Sequence, residues 1–341
     1  MITFSHLRGS WNLWWFRETP PHLLAIFRII FGGFLLFYFG IQFPHIAMLY
    51  SREGILLPLV PPTTPLTLIF TPPPVWAAYL IFSFFLASLL ALTAGCFSRA
   101  AAMIALILYA YYYVLSLFQF GTSYDRLFLF TTLILAFSGC GQTFSVDAKL
   151  RGGSWTAWEP ISILPQRILS VQIMMTYLGV GWQKLVLPDW QSGEILAYGF
   201  TGRWATAPAY WIARLNIPLW YYDRVVWLIK AFEITIPFGL WHPRTRWWYF
   251  AGGAAFHIGI AILLAIWWFL ALIPAYILFF EPEDCTAFLR RASPRLAPST
   301  RGNGGRSTGS WNSEGDLFNA ILSRSENNGL RNAVIQTCAN V

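Results

Sequence analysis

The chain has 341 residues, of which 56% are hydrophobic, 18% aromatic and only 11% charged. Soluble domains carry about 25% charged residues, so too little polar surface is present to cover a water-soluble core, and a polytopic membrane protein is indicated. The net charge of +8 comes from basic residues scattered beside apolar runs, a pattern that membrane topology explains and nucleic-acid binding does not.

Residues 10–17, "SWNLWWFR", join aromatic rings to a basic end. They are expected to form a short helix lying in the membrane interface, within a segment 1–21 that stops at Pro20-Pro21. No short apolar core followed by a small-residue cleavage site is seen, so no cleaved signal peptide is expected. The first span is expected over 23–44, with Arg28 near one end, where it can snorkel. "PLVPPTTPLTLIFTPPP" (58–74) is broken by prolines and reads as a loop with room for a short re-entrant or interfacial piece.

Further spans are expected over 76–95, 99–119 and 125–139, then a polar loop over 140–164 and a fifth span over 166–182. Residues 183–218, with Trp190, Trp204 and Trp211 among Pro and Gly, read as an ordered interfacial loop. A sixth span is expected over 221–240. Residues 247–280 are uncharged throughout. As one helix they would run roughly 50 Å against a hydrocarbon core of about 30 Å, so two spans with a turn near 262–267 are expected. From 286 to 341 the chain is rich in Arg, Ser, Gly and Pro and is expected to be a disordered tail. The expected fold is thus an all-α polytopic transmembrane bundle of about eight spans over 22–285, with no internal repeat.

Charge counting suggests an orientation. Arg8, Arg17, Arg99, Lys149, Arg151, Arg167, Arg244, Arg246 and the Arg-rich tail fall on one side of an even-numbered bundle. Arg52, Arg126, Lys184, Arg203, Arg214 and Arg224 fall on the other. The larger set puts both termini in the cytoplasm of a plasma or inner membrane, and Lys184 outside. Cys96, Cys140, Cys285 and Cys338 are far apart with no CxxC or His pairing, so neither a metal site nor a disulfide framework is expected.

Four features could carry chemistry. Lys184, in "GWQKLVLPDWQSG", lies at the end of a span, where a lysine ordinarily snorkels. Crowding by Trp182, Trp190, Val186 and Leu187 would instead shield its amine from water and let it act as a base. Lys230 and Glu233 are three apart in the sixth span, either a self-neutralising pair or an intramembrane functional site. His257 is in mid-span, for an interhelical hydrogen bond or for proton handling. In "TSYDRL" (122–127), Asp125 is placed to cap a helix.

Taken in order, "GWQKLVLPDWQSG", "TFSVDAKLR" (143–151), "RWATAP" (203–208), Glu233 and "FHIGIAI" (256–262) resemble the membrane part of vitamin K-dependent gamma-glutamyl carboxylases and the wider bacterial family called HTTM. The resemblance covers residues 20–283. It implies a single multi-helical membrane domain whose site lies on the outer side. Lys184 would be the base that deprotonates a reduced quinone such as vitamin K hydroquinone, with His257 in a matching segment. The carboxylases have a histidine where this chain reads "GTSYDRL", so Tyr124 or Asp125 would stand in its place. They also carry a large lumenal domain, so carboxylation of a glutamyl protein substrate is not expected here. Trp182, Trp190, Arg203, Trp204, Lys230 and Glu233 would line the cavity.

The alternative is a non-enzymatic lipid-interacting or transport-like component built on Lys230, Glu233 and His257, although no repeat symmetry between halves supports transport. The partners expected are the lipid bilayer, a membrane quinone and a separately encoded soluble protein in place of the lumenal domain.

Overall fold

In a computed structural model of the chain, residues 4–56, 71–117 and 119–292 are described. Helix α1 (Phe4–Phe16) is followed by α2 (His22–Gly40), α3 (Ile46–Tyr50), α4 (Val75–Ala94), α5 (Ser98–Ser116) and α6 (Ser123–Phe137). Then come α7 (Val146–Gly152), α8 (Leu164–Val186), α9 (Glu194–Gly199), α10 (Ala207–Arg214), α11 (Leu219–Trp241) and α12 (Arg246–Leu264). Helical turns over Trp267–Phe279, including α13 (Leu272–Ala275), lead to α14 (Pro282–Ala292). The strand content among the described residues is one antiparallel pairing, Glu18 with Ser162 and Thr19 with Ile161.

Among the described residues, four helical stretches are long and apolar enough to cross a membrane: His22–Tyr50, Val75–Ala94, Ser98–Ser116 and Arg246–Leu264. Helices α8 and α11 have 23 residues each and are less apolar because Arg167, Lys184, Lys230 and Glu233 lie in them. Outward faces carry apolar side chains that water would not tolerate: Phe84 is 62% exposed, Ile107 60% and Trp248 80%. Lipid is the solvent that suits them.

Neighbours in sequence pack in order, α2 on α4, α4 on α5 and α5 on α6, while α8 packs on α11 and α11 on α12. The core between them is aromatic. Phe39 stands edge-on to Phe85 at 4.8 Å and to Tyr109 at 4.9 Å between ring centroids, the geometry that ring quadrupoles favour.

The long uncharged run breaks where a turn was expected, at Ala265 with φ of 50°. The chain continues from there as a short, mostly 3-10 segment rather than a second full span. Pro274 lacks a backbone donor, and Tyr276, Leu278 and Phe279 are buried inside the bundle. The loop expected over 183–218 is partly helical: α8 runs on to Val186, and α9 and α10 come after it. Helix α14 takes up 286–292, where a disordered tail was expected. Residues beyond 292, and most of the proline-broken loop, lie outside the described residues.

At one end of the bundle Arg17 is paired with Glu281 and, at 3.4 Å, with Glu283. Arg167 reaches Glu281 at 3.0 Å and lies over the Trp14 ring at 5.0 Å. The N-terminal segment is thereby tied to the last elements of the fold.

Arg28 does not snorkel. It is fully buried and donates from a terminal guanidinium nitrogen to the Phe144 carbonyl at 2.6 Å. The reason lies in the "SVD" segment, which folds back over the helix ends. Ser145 caps α7 by accepting from the Ala148 amide at 2.9 Å. Asp147 caps α5 from a distance, accepting from the Phe97 and Ser98 amides at 2.7 and 2.8 Å and from the Ser98 hydroxyl at 2.7 Å. Burial opposes the charge on Asp147, but the hydrogen bonds from Ser98 and Phe97 outweigh it and hold its pKa below the ordinary carboxylate value. A lowered folded pKa stabilises above the unfolded value of about 4, and the gain is lost as pH falls through the folded value. Asp147→Ala is therefore expected to cost about 1–2 kcal/mol at neutral pH. Denaturant unfolding in detergent should show the gap from wild type closing as the buffer is made acidic.

Candidate functional site

Helix α8 presents Gln166, Ser170, Ile173, Tyr177, Gly181 and Lys184 at spacings of three and four, a single stripe along one face. The first five of these are buried. At Gly181 a β-carbon would lie 2.9 Å from Ile234 Cγ1 and 3.5 Å from Glu233 Cβ. The missing side chain lets α8 and α11 approach closely, and it puts Lys184 within reach of Glu233.

Lys184 Nζ donates to Glu233 Oε1 at 2.6 Å. The side chains are 13% and 5% exposed. Trp190 closes over the amine, with Nζ 4.3 Å from the ring centroid. The rest of "GWQKLVLPDWQSG" builds the frame. Gln191 Nε2 donates to the Leu185 and Leu187 carbonyls, each at 2.9 Å, and so closes the end of α8. The Gly193 amide donates to Asp223 Oδ1 at 2.6 Å, where a β-carbon would come within 2.4 Å of the Asp223 nitrogen. Trp182, Val186 and Leu187 face outward, at 65%, 58% and 45% exposure, so the crowding expected around the amine comes from Trp190 and Glu233 instead.

Beside this pair is a chain of buried hydrogen bonds. His257 Nε2 meets the Tyr177 hydroxyl at 2.5 Å, and Tyr177 is in turn bonded to the Tyr276 hydroxyl. His257 Nδ1 and Glu233 Oε2 are buried without a hydrogen-bond partner among the described residues. Tyr177 was legible in principle, being two helical turns before Lys184 on the same face. Tyr276 comes from the short segment that plugs the bundle, and nothing in its apolar surroundings marked it.

The expected Lys230–Glu233 pair does not form. Glu233 turns to Lys184, and Lys230 Nζ is buried without a hydrogen-bond partner among the described residues, 4.3 Å from the Trp227 ring centroid. Residues three apart on a helix point in directions that differ by tens of degrees, and the closer approach of α8 decides the partner.

Tyr124 and Asp125 belong to a different place. Asp125 completes a capping box on α6, accepting from the Thr122 amide and hydroxyl at 2.8 Å each, and it also accepts from the Tyr109 hydroxyl at 2.7 Å. Tyr124 bonds the Tyr38 hydroxyl at 2.7 Å. These residues line a cavity shared with Arg203 and Trp204, and Lys184 and His257 are not in its lining. The turn at 267–271 stands between the two groups: Trp268 packs on Tyr124 at 5.4 Å and Phe269 on His257 at 6.1 Å.

A second, apolar groove of about 420 Å³ opens between α9, α11 and α12. Its walls include Phe232 and Phe256, the chain neighbours of Glu233 and His257. Among the described residues, no group of three or more His, Cys, Asp or Glu side chains is placed to hold a metal ion.

No curated protein and no solved structure gives a significant match to the chain. The model of the HTTM domain matches residues 16–284, from the end of α1 to the first turn of α14 and so across every element that builds the Lys184 centre. The chain therefore belongs to the HTTM domain family, as an integral membrane protein with an all-α helical fold.

Proposed function

We propose that this protein is a membrane-embedded acid–base enzyme in which Lys184 takes a proton from a lipophilic hydroxyl compound of the reduced-quinone class. The observation that carries this reading is the 2.6 Å hydrogen bond between Lys184 and Glu233 inside the bundle. Exchange of the proton along that bond interconverts an ammonium–carboxylate pair with an amine–carboxylic acid pair, and the second form holds a free amine ready to act as base. Trp190 shields the amine from bulk water. The unpartnered Glu233 Oε2 and His257 Nδ1 leave hydrogen-bonding capacity for a reacting group, and the apolar groove beside them suits a hydrophobic tail. A reduced quinone would bring an acidic hydroxyl to such a site from within the bilayer.

The transport-like alternative needs Lys230, Glu233 and His257 to act together. Its support is weaker, because Glu233 is engaged by Lys184 and His257 by Tyr177. The joining of α1 to the last elements at one end, through Arg17 and Glu281, supports an even number of crossings. With the Lys and Arg excess on that side, the termini are assigned to the cytoplasm of a plasma or inner membrane and Lys184 to the outer side. A separately encoded soluble protein remains part of the proposal as the partner on that side.

Purified protein in lipid nanodiscs, supplied with reduced quinone and oxygen, tests the reading through formation of quinone epoxide. Lys184→Arg keeps the positive charge beside Glu233 but cannot release a proton at working pH. It is expected to lose about 10²–10⁴-fold in turnover while remaining folded. Turnover within a factor of two of wild type would remove Lys184 from the role of base.

A further inference from the structure

The turn between α4 and α5 joins two helices long and apolar enough to cross a membrane, so it lies at a bilayer surface. With the end of α6 and with α7 it forms a pocket of about 420 Å³. Arg99 comes to this pocket from α5 and Arg151 from α7, two segments distant in sequence.

Both guanidinium groups are open to a guest. Arg99 is exposed and pairs with no carboxylate among the described residues. The Arg151 side chain is 40% exposed, donates to the Gln142 carbonyl at 3.2 Å and meets Glu159 at 3.7 Å. Glu159 is itself exposed, and so long and wet an ion pair holds an arginine weakly.

The carboxylate in the pocket lining is Asp147, and its oxygens are already engaged. They accept from the Phe97 and Ser98 amides and from the Ser98 hydroxyl, and the nearby, buried Arg28 offsets the charge. Because Asp147 already fills the start of α5, a guest is left the two arginines. Their field selects an anion, and the planar fork of a guanidinium matches the oxygens of a phosphate.

The rim of the pocket narrows the class. Phe97 is part of the lining yet is 73% exposed, held with φ of 47° in a conformation that bulky side chains avoid. Phe137 and Leu150, chain neighbours of lining residues, are also exposed, as is Trp155, whose ring centroid is 4.9 Å from Lys149 Nζ. Cations set among exposed apolar side chains suit a membrane surface, where the first meet head groups and the second meet acyl chains. A soluble anion would make no use of this rim. A head group with its own ammonium would bring a further cation towards two arginines. A phosphodiester head without one suits both the arginines and the rim.

We propose that this pocket binds the head group of an anionic phospholipid, its phosphate held between Arg99 and Arg151 and its chains lying against the apolar rim. The site is separate from the Lys184 centre and does not depend on the chemistry proposed there.

Full-length protein in detergent is titrated with dioleoyl phosphatidylglycerol, and separately with dioleoyl phosphatidylcholine, and bound lipid is counted by native mass spectrometry. One phosphatidylglycerol is expected to be held about tenfold or more tighter than phosphatidylcholine. Arg99→Gln and Arg151→Gln are each expected to weaken it about fivefold, and the double variant about twentyfold or more. Neither change should lower the melting temperature of the lipid-free protein, since both side chains are exposed. Arg214→Gln with Arg224→Gln removes the same charge from the opposite end of the bundle and is expected to bind as wild type. Equal retention of the two lipids overturns the proposal, as does a double Arg99 and Arg151 variant that binds as wild type. An equal loss in the Arg214 and Arg224 variant also overturns it, by showing general charge attraction. So does equally tight binding of free glycerol 1-phosphate, which would make this a site for a soluble anion.

Discussion

Lys184→Met is expected to destabilise the protein by about 3–5 kcal/mol, and adding Glu233→Leu to it is expected to recover most of that loss. The single change leaves a carboxylate 5% exposed with no cation to face, since Lys230, one turn away on the same helix, makes no hydrogen bond to it. Removing one partner of a buried pair costs far more than removing both, because the attraction within the pair mainly offsets its own desolvation. The double change replaces the pair with apolar groups of similar size at the contact Gly181 allows, and apolar groups suit that interior. Reversible unfolding of the wild type, both single variants and the double variant in detergent closes the thermodynamic cycle. A large coupling energy identifies a buried ion pair. Additive losses would mean that water reaches the pair and that the amine is an anchor at the membrane surface. The cycle also separates stability from chemistry: the double variant should be folded and still inactive toward reduced quinone.

Most of the fold could be read from hydrophobic runs, because in a bilayer an apolar stretch of helical length has few other uses. The positions of α2, α4, α5, α6, α8, α11 and α12 follow from that rule, and so does the break before Trp267. Features set by the meeting of distant segments were not legible. Arg28 looks like a snorkelling residue because its place near a helix end is visible and the return of Phe144 over it is not. Lys230 and Glu233 look paired because three-residue spacing is visible, whereas the approach of Lys184 across 49 positions depends on Gly181. Likewise Lys184 and His257 stood out as ionisable residues in apolar surroundings, and His257 proved to be tied into the bundle through two tyrosines, one of which, Tyr276, lies in a segment that carries no sequence signal. Tyr124, Asp125, Arg203 and Trp204 were grouped with Lys184 by order along the chain. In space they share a cavity with one another, and the 267–271 turn walls it from His257.

Gly95→Ala is the substitution expected to do most harm away from the Lys184 centre. Gly95 ends α4 with φ of 72°, a left-handed conformation that costs a residue with a β-carbon about 1–2 kcal/mol. Space adds to strain. A β-carbon there would lie 2.2 Å from the Arg28 guanidinium and 2.3 Å from Ser145 Cβ. Neither neighbour can retreat freely: Arg28 is fully buried and bonded to Phe144, and Ser145 holds the cap of α7. The Gly95 carbonyl also accepts from the Asp147 amide at 3.0 Å, so a shift there disturbs the residue that caps α5. Overpacking in a closed core typically costs about 1–3 kcal/mol, which brings the expected total to about 2–5 kcal/mol. Arg28→Met in the same background tests the cause. If the clash with the guanidinium dominates, the slimmer side chain should return part of the loss, even though Arg28→Met alone is destabilising through loss of the Phe144 bond. If the two losses simply add, backbone strain at Gly95 is the main cost, and Gly95→Asn, which tolerates the left-handed region better, should then be milder than Gly95→Ala despite its larger side chain.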